Sequence, residues 1–213
     1  MMRVEAYGRE ASIIGGLPHG LPARLRTLIV DECSSRGIPC DDVVPAESSL
    51  VIVHPDVDHG RMRSVIEPLL LANVAAASDP ATNDDPVVEI PVRYDGADLE
   101  EVARRCGLSV DEVVSLHTGC AFIVRFCGFS PGFAYLGGLP ERLHLPRRDS
   151  PRTRVPNGSV AIAAHYSAVY PRESPGGWHL LGTTDTPMWD LRRETPMLLQ
   201  PGDRVRFVPL AVR

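Results

Sequence analysis

The stretch Ser78-Asp79-Pro80-Ala81-Thr82-Asn83-Asp84-Asp85-Pro86 decides how the chain is organised. It is polar, carries two prolines and has no apolar periodicity, which is the texture of a linker between two folded parts. Before it, short apolar runs alternate with helical patterns. Arg3–Tyr7, Ser12–Ile14 and Ser49–His54 read as strands. Pro22–Ser35 reads as a helix, with Leu21, Leu25, Leu28 and Glu32 at helical spacing and Gly37 ending it. Arg61–Ala77 reads as a second helix that Pro68 should kink or break. Two helices on a small sheet make an α+β layer domain of about 80 residues, near the lower size limit for an independent core.

After the linker the texture changes. Val87–Tyr94 alternates as a strand, Asp98–Cys106 is a short helix ended by Gly107, and Ser109-Val110-Asp111-Glu112 matches a capping box. The rest is strand and turn: Ala121–Phe126, Ser159–Ala164, Ala168–Tyr170, Trp178–Leu181 and Arg204–Leu210, separated by Gly and Pro clusters. That pattern suits a β-barrel or sandwich. The expected layout is an N-terminal domain at 1–80, a linker at 81–89 and a β-rich domain at 90–213.

Composition narrows the chemistry. All 22 basic residues of this 213-residue chain are Arg, and no Lys occurs. A Schiff base, a P-loop lysine, a biotinyl-lysine and a Ser-Lys dyad are therefore excluded on this polypeptide, because guanidinium cannot act as the amine each needs. The net charge of −5 does not favour nucleic-acid or anionic-membrane binding. Five cysteines without a C-x-x-C pair read as reduced thiols. With no long apolar run in the chain, a cytoplasmic location is expected.

Three segments between 127 and 184 carry unusual chemistry. Gly128-Phe129-Ser130-Pro131-Gly132-Phe133-Ala134-Tyr135-Leu136-Gly137-Gly138 combines four glycines with three aromatics, which allows close backbone approach between flat walls. It also fits a glycine-rich barrel loop packed by its own rings. Next, residues 125–154 hold six arginines (125, 142, 147, 148, 152, 154) against Glu141 and Asp149, stiffened by Pro146, Pro151 and Pro156. Guanidinium forks suit carboxylate or phosphate, although a charge run is often only a solvated face. Last, Pro175-Gly176-Gly177 before Trp178 could expose backbone N–H groups as an anion nest, while Trp178 could equally be a packing plug. His165 and His117 are possible acid–base groups. The seven histidines show no metal-ligand spacing, and Phe129-Ser130-Pro131-Gly132 is not a nucleophile elbow.

These motifs come in one order: G-F-S-P-G-F-A-Y-L-G-G-L (128–139), P-R-R-x-x-P-R (146–152), V-P-N-G-S-V (155–160), Y-P-x-x-S-P-G-G-W (170–178) and P-G-D-R-V-R-F-V-P (201–209). Together they resemble the family of the 5-oxoprolinase B-type subunit, also labelled allophanate hydrolase subunit 1 or KipI-like. The resemblance implies an α+β fold, with a small N-terminal α/β-sandwich domain followed by a cyclophilin-like β-barrel. It implies a heteromeric enzyme that works with a companion, the 5-oxoprolinase C-type subunit or allophanate hydrolase subunit 2, and is active only with it. The reaction implied is ATP-dependent opening of the 5-oxoproline lactam to glutamate, with Mg²⁺-ATP held by this subunit or its partner.

Under that resemblance Arg147, Arg148 and Arg152 are expected to stabilise phosphoryl charge, Arg148 with a catalytic role. His165 or His117 would move the proton. Ser130, Phe133, Tyr135, Asn157, Ser159, Tyr170, Gly176, Gly177 and Trp178 would line the substrate or phosphate site. Two other readings stand beside it. One is a biotin-linked carboxyltransferase component, with the biotinyl-lysine on another domain. The other is a non-enzymatic inhibitor of a sensor histidine kinase. The Ser-Ser-Lys amidase route to allophanate hydrolysis is closed to a chain without lysine.

Overall fold

The computed structural model describes residues 3–18, 20–74 and 86–210. The chain divides into two compact units, residues 1–83 and 84–213. All of Ser78–Pro86 except Pro86 lies outside the described residues, as does the end of the expected second helix at Ala77. Val87–Glu89, which the sequence reading gives to the linker, are already strand and pair with Arg204–Arg206.

In the first unit, β1 (Arg3–Ala6), β2 (Ala11–Gly15), β3 (Asp42–Pro45) and β4 (Leu50–Val53) form an antiparallel sheet in the order β1-β2-β4-β3. Helices α1 (Leu21–Ser35) and α2 (His59–Val74) pack on it around a core that includes Ile14, Leu25, Ile29, Ile52, Met62 and Ile66. Pro68 does not break α2. It lies on the exposed face, where the carbonyl of Ser64, deprived of its partner N–H, can turn to water.

The second unit is built on a seven-stranded sheet. Its strands are β5 (Val87–Val92), β6 (Phe122–Cys127), β7 (Ala134–Gly137), β9 (Ser159–Ala163), β10 (Tyr166–Val169), β12 (His179–Thr183) and β13 (Arg204–Pro209). The order is β12-β9-β10-β7-β6-β13-β5, antiparallel except for β13 with β5. The two ends meet. Arg93 N–H donates to the Thr183 carbonyl at 2.8 Å and Thr183 N–H to the Arg93 carbonyl at 2.7 Å, so the sheet closes into a barrel. Gly182 permits this approach, because a Cβ there would strike the Arg93 carbonyl. Helices α3 (Leu99–Cys106) and α4 (Val110–Thr118) carry Val102 and Val113 to the interior core, which includes Ile90, Phe122, Leu136, Ile162, Leu181 and Phe207. The capping box at Ser109 and Glu112 is formed.

Three strands of this unit escape the sequence reading, as β3 does in the first. β7 lies inside the glycine-rich run. β8 (Arg152–Val155) lies inside the arginine segment and pairs with β11 (Ser174–Gly176) as a separate two-stranded ribbon. Val155 of this ribbon packs into the aromatic cluster on the barrel wall, and a single buried carboxylate ties its arginines to the barrel. Asp98 precedes α3 but does not cap it through its side chain, which is only 4% exposed. Its oxygens accept from Arg152 at 2.9 and 2.7 Å, from Arg148 at 2.7 Å and from the Leu180 backbone N–H of β12 at 2.7 Å. Burial pushes this carboxyl's pKa up, but the Arg152 bond, the Leu180 N–H and both guanidinium charges outweigh burial and hold it below the usual carboxylate range.

Asp98→Asn should therefore cost about 3 kcal/mol at neutral pH, since it leaves two part-buried cations unbalanced. Because the folded pKa is depressed, this stability is present above about pH 4 and lost as the pH falls through the folded value. Urea melts at pH 7 and pH 3 check both points: the wild type should weaken on acidification more than Asp98→Asn does.

Candidate functional site

The barrel wall has two differently used faces. Inward, Val160, Ile162, Val124 and Leu136 fill the core. Outward, Ala161, Ala163 and Ala168 leave a shallow floor, and large rings lie on it. Of the five Phe, five Tyr and two Trp in the chain, seven gather here: Phe126, Phe129, Phe133, Tyr135, Tyr166, Tyr170 and Trp178. Tyr135 is the hub. Its ring stacks on Phe126 at 4.2 Å and meets Phe133, Tyr166 and Trp178 edge-on at 5.0, 5.6 and 5.7 Å. Phe133, Tyr170 and Trp178 are buried beneath, while Tyr135 and Tyr166 are half-buried.

The loop entering β7 projects one ring outward. Ser130 N–H donates to the Gly128 carbonyl at 2.8 Å, a γ-turn whose central residue, Phe129, has φ 70°. Phe133 N–H then donates to Ser130 at 3.0 Å around Pro131 and Gly132, the latter at φ 84°, as in a type II turn. A left-handed Phe is strained by about 1–2 kcal/mol. Phe129 is nevertheless 60% exposed, so the strain is not offset by burying the ring. Ser130 Oγ, in the same loop, is buried without a hydrogen-bond partner.

The arginines separate into different uses. Arg148 and Arg152, expected on phosphate, are held by Asp98, and Arg154 pairs with Glu173. Arg147 is exposed, and among the described residues no carboxylate pairs with it. Its charge is near enough to act on two of the rings. Burial raises the pKa of the Tyr135 and Tyr170 phenols, and the nearby Arg147 cation acts against that rise in both. The expected Gly176-Gly177 nest is already filled. A Cβ at Gly176 would strike the Tyr170 hydroxyl, Trp178 N–H bonds to that same oxygen, and the Gly177 carbonyl accepts from Arg148 N–H at 2.8 Å. Asn157 is an exposed turn residue, and Ser159 is a buried β9 residue.

The two histidines also part company. His117 is fully buried in the barrel, stacked on Phe207 at 4.6 Å. The hydrogen-bond chain runs from Tyr94 O–H to His117 Nδ1 (2.7 Å), His117 Nε2–H to Ser167 Oγ (2.9 Å) and Ser167 O–H to the Ala161 carbonyl (3.2 Å). Every donor is matched with the ring neutral, and burial drives its pKa down to about 3. A proton-transfer role does not suit so enclosed a ring. His165 is exposed at the edge of the platform, its ring 4.0 Å from Tyr166.

Comparison with known proteins fits this architecture. The sequence profile of the carboxyltransferase domain, subdomains C and D, matches residues 28–199. The chain belongs to this carboxyltransferase family. A relative in Escherichia coli O157:H7, named as the B-type subunit of 5-oxoprolinase, is 54% identical over 125 residues, which are 57% of this chain and 57% of that protein. The urea amidolyase of Saccharomyces cerevisiae is 30% identical over 125 residues, 53% of this chain and 6% of that one. The crystal structure of TTHA0988 superimposes with a TM-score of 0.76 at 36% identity, covering all of this chain and 41% of that chain. The chain thus spans little more than half the length of the first of these relatives. Among the described residues, no helix is long and apolar enough to cross a membrane.

For this carboxyltransferase-family barrel, the sequence reading finds Phe133, Tyr135, Tyr170, Trp178 and Arg147 together. It misses Phe126 and Tyr166, counts Phe129 among the rings of the glycine-rich run without naming it a site residue, and takes Asp98 only as a helix start. For His117 the expected behaviour is structural. The unfolded chain takes up a proton near pH 6.5 and the folded ring does not until about pH 3, so stability is full above 6.5 and falls by about 1.4 kcal/mol per pH unit below it. His117→Phe should lose about 2 kcal/mol at pH 7, because it leaves the buried Tyr94 hydroxyl without its acceptor and the Ser167 oxygen without its donor, and should flatten that slope. Denaturation between pH 4 and 8 tests this. Turnover lost beyond what unfolding accounts for would reinstate His117 as catalytic.

Proposed function

We infer that this chain is the lactam-binding subunit of an ATP-dependent 5-oxoprolinase, acting with a companion protein. The observation that carries the reading is the Arg147 guanidinium, free of carboxylate partners among the described residues, near a half-buried aromatic platform from which Phe129 stands exposed. Its support from relatives is the 5-oxoprolinase B-type subunit of Escherichia coli. A small flat ring bearing a carboxylate matches both features: the ring lies against Tyr135 and Phe129, and the carboxylate takes the guanidinium fork.

ATP enters as a co-substrate, and the residues here do not suit its triphosphate. Arg148 and Arg152 are committed to Asp98, and the glycine pair is filled by Tyr170. The companion is thus assigned the nucleotide and its Mg²⁺, and no step through them is derived from this chain. What this chain contributes is binding, orientation and exclusion of water. A lactam amide is a poor electrophile, so its oxygen must be held toward the activating group. Ring stacking on one side and a carboxylate anchor on another fix that direction.

The likeness to a urea amidolyase favours one alternative, a carboxyltransferase component that receives a carboxyl group from biotin on another chain. The test is co-purification with the companion, followed by ATP-dependent conversion of 5-oxoproline to glutamate. Avidin-sensitive carboxyl transfer with no such conversion would decide for the alternative. In the active complex Arg147→Ala should lower kcat/KM at least about tenfold, equal to about 1.4 kcal/mol. Phe129→Gly should weaken substrate binding while changing stability by no more than about 1 kcal/mol, since relieved strain offsets lost packing.

A further inference from the structure

A second arginine is aimed at the same platform by a defect in the sheet. β6 and β7 pair Val124 with Leu136 and then Phe126 with Tyr135, so Arg125 is an extra residue, a β-bulge. Val124 faces the core, and simple alternation would turn Phe126 inward with it. The bulge instead leaves both Arg125 and Phe126 outside. Phe126 stacks on Tyr135, and the Arg125 side chain lies flat over Gly137, where any Cβ would strike its Nε. Glycine at 137 therefore makes the seat for this guanidinium.

Arg125 is half-buried, and among the described residues no carboxylate pairs with it. Arg148 and Arg152, similarly half-buried, share Asp98, and Arg193 donates to the Pro187 carbonyl. A part-buried cation without a counter-ion is costly, and an arriving anion removes that cost. Its place differs from that of Arg147. Gly137, the seat of Arg125, pairs with Tyr166, whereas Arg147 directly precedes Arg148, whose N–H donates to the Gly177 carbonyl beside Trp178. The Tyr135 ring meets both Tyr166 and Trp178 and so links the two places.

We propose that Arg125 is a second anion anchor, and that the platform takes a compact ligand charged at both ends: a carboxylate on one arginine and a second carboxylate or a phosphoryl group on the other. This rests on the platform being the substrate site. It adds that the site prefers dianions to the singly charged 5-oxoproline, and so holds a species that gains a second negative charge during the reaction.

The 213-residue chain can be titrated by NMR, reading the arginine Nε–H signals, with 5-oxoproline, glutarate and 3-phosphonopropionate at one ionic strength. At least one dianion should bind about tenfold tighter than 5-oxoproline, and which one does identifies the second group as carboxylate or phosphoryl. Arg125→Met should remove that advantage while changing 5-oxoproline binding by no more than about twofold. Gly137→Ala, which evicts the side chain without deleting it, should do the same, and Arg125→Lys should restore part of it. Amide spectra establish that each variant is folded. No preference for either dianion, or equal weakening of all three ligands by Arg125→Met, overturns the proposal. If instead Arg147→Met leaves every ligand unaffected, the platform itself is not the substrate site.

Discussion

The second unit depends on one buried carboxylate. Asp98 joins three pieces of chain distant in sequence: the start of α3, the arginine segment leading into β8, and the β12 edge where the barrel closes. One anion facing two guanidiniums leaves a local surplus of one positive charge. The strand closure through Arg93 and Thr183 lies three residues from the Leu180 amide that Asp98 accepts. Barrel closure, ribbon docking and the position of Arg147, one residue before Arg148, are thereby tied to the same group. Such a pair is not primarily a source of stability, because desolvation offsets much of the attraction. Its effect is to fix where the ribbon sits.

The β9–β10–β7 wall shows how one sheet serves two purposes. Alternation sends Val160 and Ile162 inward and Ala161 and Ala163 outward. The small outward residues are what allow Tyr135, Tyr170 and Trp178 to lie close against the strands. The interior satisfies its polar groups internally through Tyr94, His117 and Ser167. The outer face keeps Ser130 Oγ unpartnered and Phe129 strained and exposed. A fold relieves such features where nothing requires them, so their concentration on one face distinguishes that outer face from the structural core.

Periodicity made most of the barrel strands legible, because β5, β6, β9, β12 and β13 are apolar runs bounded by turn residues. β7 and β8 were hidden for a physical reason. β7 is only four residues long and ends in a glycine, since Gly137 must accommodate Arg125, and β8 is charged because it lies in an outer ribbon rather than in the core. Ring content grouped Phe133, Tyr135 and Tyr170, and the structure brings these rings together. Charge density did not sort the arginines. Six in one segment look alike until their partners are known, and the partner of Arg148 and Arg152 lies some fifty residues earlier. The Arg125 bulge is invisible in sequence, because a bulge is a property of two paired strands.

The absence of lysine then has a structural counterpart. Every cation at the platform is a guanidinium, which binds anions but does not release a proton at working pH. His117, enclosed and neutral, faces the core, and the phenols of Tyr135 and Tyr170 are held protonated by burial. Among the described residues, His165 lies at the edge of this face, its ring 4.0 Å from Tyr166. In the proposed reading, such a surface grips and orients a charged ring but does not activate an amide by itself, so the chemical step would draw an electrophile or a base from the companion's surface.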